Sequence, residues 1–202
     1  MRLPSFDLAV TLGAALCVGS ALAAVAVNHV LGRPQADVRR RIRTPVATLS
    51  MLAFLAAISA VVWLRIGAII LPEPTRRGAM MLGLVIMLGG AVLNLAGRVN
   101  LGRNWADQVT EYGDQSLVRH GAYALVRHPL YASLTWMFVG AALVYRNLLV
   151  LGATLLVFLP AMVVRARQEE RLLGKRFPEY DEYRRRVGML FPRWPAGGQE
   201  GP

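Results

Sequence analysis

Cysteine is almost absent from this chain. Cys17 is the only one, set in an apolar stretch, which excludes an internal disulfide and a cysteine-based metal cluster. Lysine is as scarce, with Lys175 alone among 23 basic residues. Charge is missing over long distances. Phe6 to Leu31 carries one formal charge, Asp7, at its start, and Val46 to Leu64, Gly78 to Gly97, Tyr131 to Tyr145 and Asn147 to Val164 carry none. Strand-type alternation is also lacking, which argues against a β-barrel. No internal repeat and no low-complexity linker divides the 202 residues.

Apolar residues make up 55% of the chain, above the roughly 45–50% of a soluble domain. A bilayer core of about 30 Å needs roughly 20 apolar residues as helix. Three runs meet that length. The last two are shorter, with Arg146 between them, and read as a tight helical hairpin over 130–164. The expected fold is all-α and integral to a membrane, with about five transmembrane helices and a cytoplasmic carboxyl-terminal helical cap. It forms one domain, 1–202, with three amino-terminal helices in 1–97 and a core in 98–202. Helix 1 is expected over Asp7 to Val30, helix 2 from near Pro45 to before Pro72, and helix 3 over Thr75 to Gly97. The last helix is expected to continue past Arg165 until Phe177-Pro178 breaks it. A short amphipathic piece, Glu179 to Val187, follows.

The net charge of +11 invites a nucleic-acid reading, but the basic residues are placed by topology. The Arg33–Arg43 loop, the 98–129 segment and the tail from Arg165 hold 18 of the 23. The positive-inside rule then puts the amino terminus outside and the carboxyl terminus in the cytoplasm. The arginine-rich, lysine-poor composition suggests a bacterial inner membrane. The first run reads as a helix and not a cleaved signal. Only Arg2 supplies a positive start, and cleavage after Ala21-Leu22-Ala23 would put Arg39-Arg40-Arg41 outside.

Two clusters carry chemistry. In the first, Arg127 and His128 stand directly before a helix that starts at Pro129. Proline at the first helical turn lacks no partner. A helix start also presents free N–H groups and partial positive charge. Arginine, histidine and that terminus together suit a carboxylate or phosphate, and Tyr123 and Tyr131 flank them. The second cluster is Arg165-x-Arg167-x-Glu169-Glu170. Spacing puts Arg165 with Glu169 and Arg167 with Glu170 on shared helix faces. Charges at a membrane boundary are costly unless paired or functional. Leu101-Gly102-Arg103-Asn104-Trp105 reads as a turn after helix 3.

The segment Tyr123–Tyr131, the Glu169-Glu170 pair and Phe177-x-x-Tyr180-x-x-Tyr183 together resemble the isoprenylcysteine carboxyl methyltransferase family. Those are membrane enzymes related to phospholipid methyltransferases. The resemblance covers roughly Leu101 to Pro192. Ser133 and Pro178 stand where many members have glycine, which leaves the exact substrate open. The resemblance implies S-adenosylmethionine as cofactor and no metal. It implies cofactor binding by Tyr123, Val126, Arg127, His128, Pro129, Tyr131 and Glu170, and catalytic roles for Arg165, Arg167 and Glu169, with either Glu169 or Glu170 open to the cofactor's amine or ribose. The acceptor would be lipophilic or lipid-modified, most simply a prenylcysteine-type carboxylate, with a phospholipid amine or small thiol as the alternative. Its partners would be that acceptor and membrane lipids, with no nucleic acid. An NADPH-dependent sterol-type reductase and a non-enzymatic channel, transporter or scaffold are the competing classes. Against the last, helices 1 to 3 hold almost no ionisable residue at their centres.

Overall fold

A computed structural model describes residues 5–31, 38–41, 45–101, 110–112 and 117–193. The expected turn after Leu101, at Gly102 to Trp105, lies outside them, as does much of the Arg33–Arg43 loop. The helices are α1 (Ser5–Leu31), α2 (Pro45–Trp63), α3 (Thr75–Leu101), α4 (Ala122–Leu125), α5 (Pro129–Val144), α6 (Leu148–Ala153), α7 (Leu159–Arg176) and α8 (Tyr180–Arg186). Two short strands, β1 (Val38–Arg41) and β2 (Thr110–Tyr112), pair antiparallel. They join the loop after α1 to the loop after α3, at the end of the bundle where α5 begins.

Three helical stretches are long and apolar enough to cross a membrane: Ser5–Val27, Thr75–Leu101 and Leu148–Arg176. The third is continuous because α6 passes into α7 through a wider turn, Thr154–Phe158. Pro160 explains the widening. Proline cannot donate to the carbonyl four residues back and its ring crowds that carbonyl. A local π-type turn relieves both problems. α5 is apolar but shorter. Its 16 residues extend about 24 Å, less than the ~30 Å of a bilayer core. α2 ends at Trp63, well before Pro72, and the chain turns there with Arg65 and Gly67 at positive φ.

Polar ties hold the end of the bundle where α3 starts. Arg76 Nη1 donates to both Asp7 oxygens, at 2.6 and 2.7 Å, clasping α1 to α3. Asn147 accepts from Val150 N at 3.0 Å, capping α6, and donates to Ile66 O at 2.9 Å. That bond pins the turn after α2 to the turn after α5.

α3 and α5 run antiparallel in the closest pairing of the bundle. A Cβ on Gly83 would stand 2.5 Å from the Gly140 carbonyl oxygen, and one on Gly140 would stand 2.6 Å from that of Gly83. Between apolar helices in lipid, such small residues permit the backbone approach that dispersion needs. Gly90 and Gly97 continue the seam against Met137 and Pro129. Gly89 faces open space. Gly83→Ala is therefore expected to lower the thermal midpoint in detergent, by about 1–3 kcal/mol of overpacking. Gly89→Ala, which gains helix propensity, is expected to leave it unchanged or raise it. Equal effects would contradict the seam.

Candidate active site

The segment joining α4 to α5 is extended, and the carboxyl-terminal segment beyond α8 lies along it. Arg127 N donates to Gly188 O at 2.8 Å and His128 N to Met189 O at 3.1 Å. Tyr183 of α8 donates its hydroxyl to Tyr123 O at 2.6 Å. These bonds fasten the helical cap over the start of α5 and fix where Arg127 and His128 point.

Arg127 turns inward. Its Nε and Nη2 meet Glu170 Oε1 at 2.9 and 2.8 Å, while Nη1 donates to Arg184 O at 2.9 Å and to Val187 O. Both charged side chains are nearly sealed, at 8% and 9% exposure. The anion site expected at this helix start is thus filled from within by Glu170. His128 caps α5 with Pro129 behind it. Its Nε2 faces Glu170 Oε1 at 3.2 Å and its Nδ1 faces Glu169 Oε2 at 3.4 Å. Burial by itself would lower the imidazole pKa. Hydrogen bonds to Glu169 and Glu170, with their charge, outweigh it and raise the pKa above the ordinary value.

Glu169 continues the chain on the next position of α7. It accepts from the Tyr131 hydroxyl, which itself accepts from Arg165 Nε at 2.7 Å. The His128 and Tyr131 rings stack at 5.7 Å, 11° apart, and the Arg165 guanidinium lies 5.6 Å from the Tyr131 ring centre. Arg127, Glu170, His128, Glu169, Tyr131 and Arg165 therefore form one connected polar network, drawn from the α4–α5 junction, α5 and α7.

The network borders a cavity of about 640 Å³, within the usual range for small-molecule sites. One pole is polar: Tyr123, His128, Tyr131, Arg165, Glu169 and Tyr183 reach it. The other is apolar, walled by Val18 and Leu22 of α1, Ile58 and Val62 of α2, and Met137 and Phe138 of α5. Burial pushes the Tyr123 phenol pKa up, so it stays protonated and able to donate.

Of the residues singled out from sequence, Tyr123, Arg127, His128, Pro129, Tyr131, Arg165 and Glu169 line this cavity. Val126 is wholly buried and is bridged to Gly188. Glu170 stands behind the wall, between Arg127 and His128, and does not reach the cavity. Arg167 is exposed and lies off its wall. The helix-face pairing of Arg167 with Glu170 is replaced by the inward ion pair with Arg127. Sequence reasoning passed over Asn94, Arg98 and Arg176, which also line the cavity. Asn94 had a signal: it is the one polar side chain in the run Gly78 to Gly97.

The described residues thus form a helical bundle with three stretches long and apolar enough to cross a membrane and a cavity lined by polar residues at one pole and apolar residues at the other. Residues 79–180 match the model of the phospholipid methyltransferase family, PEMT. That match covers half of the chain, and the chain belongs to this family of membrane methyltransferases. No curated protein matches it.

Two measurements test the network. His128 has its pKa raised on folding, so its contribution to stability is whole below about 6.5, the unfolded value, and is lost as pH rises through the folded value. The melting midpoint is expected to fall over that rise, and less steeply in His128→Gln. Glu170→Ala strands Arg127 in a buried site and is expected to cost about 3–5 kcal/mol. A variant as stable as the parent would contradict the assignment.

Proposed function

We propose that the protein transfers a methyl group from S-adenosylmethionine to a lipophilic acceptor at the cytoplasmic membrane face, most simply a carboxylate of the prenylcysteine type. The observation that carries this reading is the two-poled cavity, polar beside Glu169 and apolar between the helices. Family membership supports methyl transfer, and that family includes isoprenylcysteine carboxyl methyltransferases.

The donor set fits the cofactor. S-Adenosylmethionine offers a carboxylate, an amine and an adenosine, and the chemistry it supplies is an electrophilic methyl group on a sulfonium. Glu169 would accept from the amine, and the rings of Tyr123 and Tyr183 would face the adenosine. His128, stacked on Tyr131 and bonded to both glutamates, would hold that wall rigid. Glu170 acts as a positioning residue, since it reaches the cavity only through Arg127 and His128. Methyl transfer demands alignment and exclusion of water more than proton movement. A carboxylate acceptor is already ionised and needs no base. It does need orientation, for which a planar guanidinium suits two oxygens. Between the two arginine candidates, Arg165 takes this role because it lines the cavity and is aimed by Tyr131. The family's phospholipid members favour a second reading, in which a lipid amine is the acceptor and Glu169 takes up its proton.

The reading includes five crossings, with α2 and α5 completing the three longer spans, α5 and the α6–α7 stretch forming a hairpin, and the carboxyl terminus in the cytoplasm. The basic residues gathered at the α3 C-terminus, the α5 N-terminus and the tail support that orientation. One experiment tests cofactor and orientation together. Sealed inverted vesicles, cytoplasmic face outward, are expected to bind S-adenosylmethionine, and Glu169→Gln to weaken that binding about tenfold or more, the scale of a hydrogen bond to a charged group. NADPH is expected not to compete. Binding confined to right-side-out vesicles would reverse the orientation, and binding of NADPH alone would replace the reaction class.

A further inference from the structure

One face of α5 follows the cavity from its polar pole to its far end. Tyr131, Leu134, Phe138, Ala141 and Tyr145 all line it, at the three- and four-residue spacing that keeps side chains on one stripe of a helix. At 1.5 Å per residue, the stripe from Tyr131 to Tyr145 is about 21 Å long. The α6–α7 stretch gives the same scale. Arg165 bonds to Tyr131, and the rings of Phe158 and Phe138 meet at 4.8 Å. The step between these contacts is seven residues on each side, 131 to 138 and 165 to 158. The phenylalanine pair therefore lies about 10 Å further from the polar pole than Arg165 does.

The far end has a floor. On α1 the lining begins at Ala14, and on α3 it stops at Met87, beside Gly140. Beyond them Val10, Met80 and Val144 belong to one buried cluster, and Tyr145 packs against it. Arg146 Nη1 approaches Met80 Sδ at 3.2 Å there. One turn before that floor Ala141 offers the channel only a methyl group, whereas Tyr145 offers a ring. The side of the channel is open. Leu22 and Val25 of α1 line it and are still 45% and 41% exposed. A chain can enter sideways there, and the floor limits how much of it fits.

On the methyltransferase reading with its prenylcysteine acceptor, on which this inference rests, we propose that Tyr145 is a specificity-determining residue: it ends a channel that measures the acceptor's hydrocarbon chain and accommodates three isoprene units. The carboxylate stands at Arg165, level with Tyr131. C–C bonds of about 1.52 Å at a tetrahedral angle advance an extended chain by about 1.25 Å per atom. An S-prenylcysteine with three isoprene units has roughly sixteen chain atoms from its carboxyl carbon to its tip, or about 20 Å. That length fills the stripe from Tyr131 to Tyr145. A fourth unit adds about 5 Å, overruns Tyr145 and has to bend out through the open side.

The test measures binding by calorimetry in detergent, with S-adenosylhomocysteine present, for N-acylated S-prenylcysteines of two, three and four isoprene units. The unaltered protein is expected to bind the three-unit ligand most tightly and the four-unit ligand about tenfold or more weakly, the scale of overpacking by a few methylene groups. Ala141→Phe raises the floor by about 6 Å, one helical turn, and is expected to move the optimum to two units. Tyr145→Ala lowers the floor and is expected to move the optimum to four. Ratios of variant to parent at one chain length cancel partitioning of the ligand into detergent. Either variant serves if the other does not fold, and the parent's profile stands without both. An optimum other than three units in the parent, equal binding of three and four units, or an optimum that stays at three units in the folded variants would overturn the proposal. A parent that binds S-adenosylhomocysteine but no prenylcysteine of any length would overturn the proposal together with its acceptor. Failure of the parent to bind S-adenosylhomocysteine would instead overturn the methyltransferase reading.

Discussion

The buried carboxylate of Glu170 is the constraint on which the site depends. It sits on α7, faces Arg127 and His128 from the start of α5, and is shielded from solvent. A carboxylate in that position is tolerable only with its charge matched and its oxygens bonded. Arg127 supplies the match and then spends its remaining donor nitrogen on the carbonyls of Arg184 and Val187. Three pieces of chain that are far apart in sequence are thereby locked: α7, the α4–α5 junction and the carboxyl-terminal cap. His128 is oriented as a consequence, and its ring stacks on Tyr131, whose hydroxyl serves both Glu169 and Arg165. The side chains that face the cavity are thus placed by one that does not.

The second determinant is the glycine seam between α3 and α5. It brings two helices close enough for Asn94 to reach Ser133, so this buried hydrogen bond exists because the backbones touch. The seam also leaves α1 and α2 to wall the apolar pole at one side. Close packing on one face and an open volume on the other are two results of the same arrangement.

Much of the helical framework was legible in the sequence because lipid imposes long uninterrupted apolar runs. Thr75 opens α3, Pro129 opens α5, and Phe177 ends α7, each at a residue with a local reason to stand there. α3 overran its expected end at Gly97 by four residues, and α2 stopped at Trp63. Arg98 interrupts the apolar run without ending α3, whereas α2 ends two residues before its first following charge, Arg65, and well ahead of Pro72. The site was legible as residue types, since arginine, histidine and paired glutamates at span ends are costly without a purpose. Its wiring was not. Helical spacing grouped Arg167 with Glu170, but spacing describes one helix, and Glu170 answers to partners 42 and 43 positions away. Arg98 escaped notice because an arginine at a helix end is ordinarily read as a topology signal. The two short strands escaped because seven residues leave no periodic trace.

An enzyme of this layout meets a physical problem that soluble methyltransferases do not. In the reaction proposed here, a charged, water-soluble reagent and a lipid-borne acceptor would meet in one water-excluding volume. The polar pole beside Glu169 and the apolar pole between the helices divide that task between two ends of one cavity. The most direct test is transfer of label from methyl-labelled S-adenosylmethionine to an S-prenylcysteine by the purified protein, followed by mild base treatment of the product. The account predicts label in the lipophilic product, released by base as volatile methanol from a methyl ester. Label that resists base would contradict a carboxylate acceptor, and absence of label from both the prenylcysteine and phospholipid fractions would contradict methyl transfer at this site.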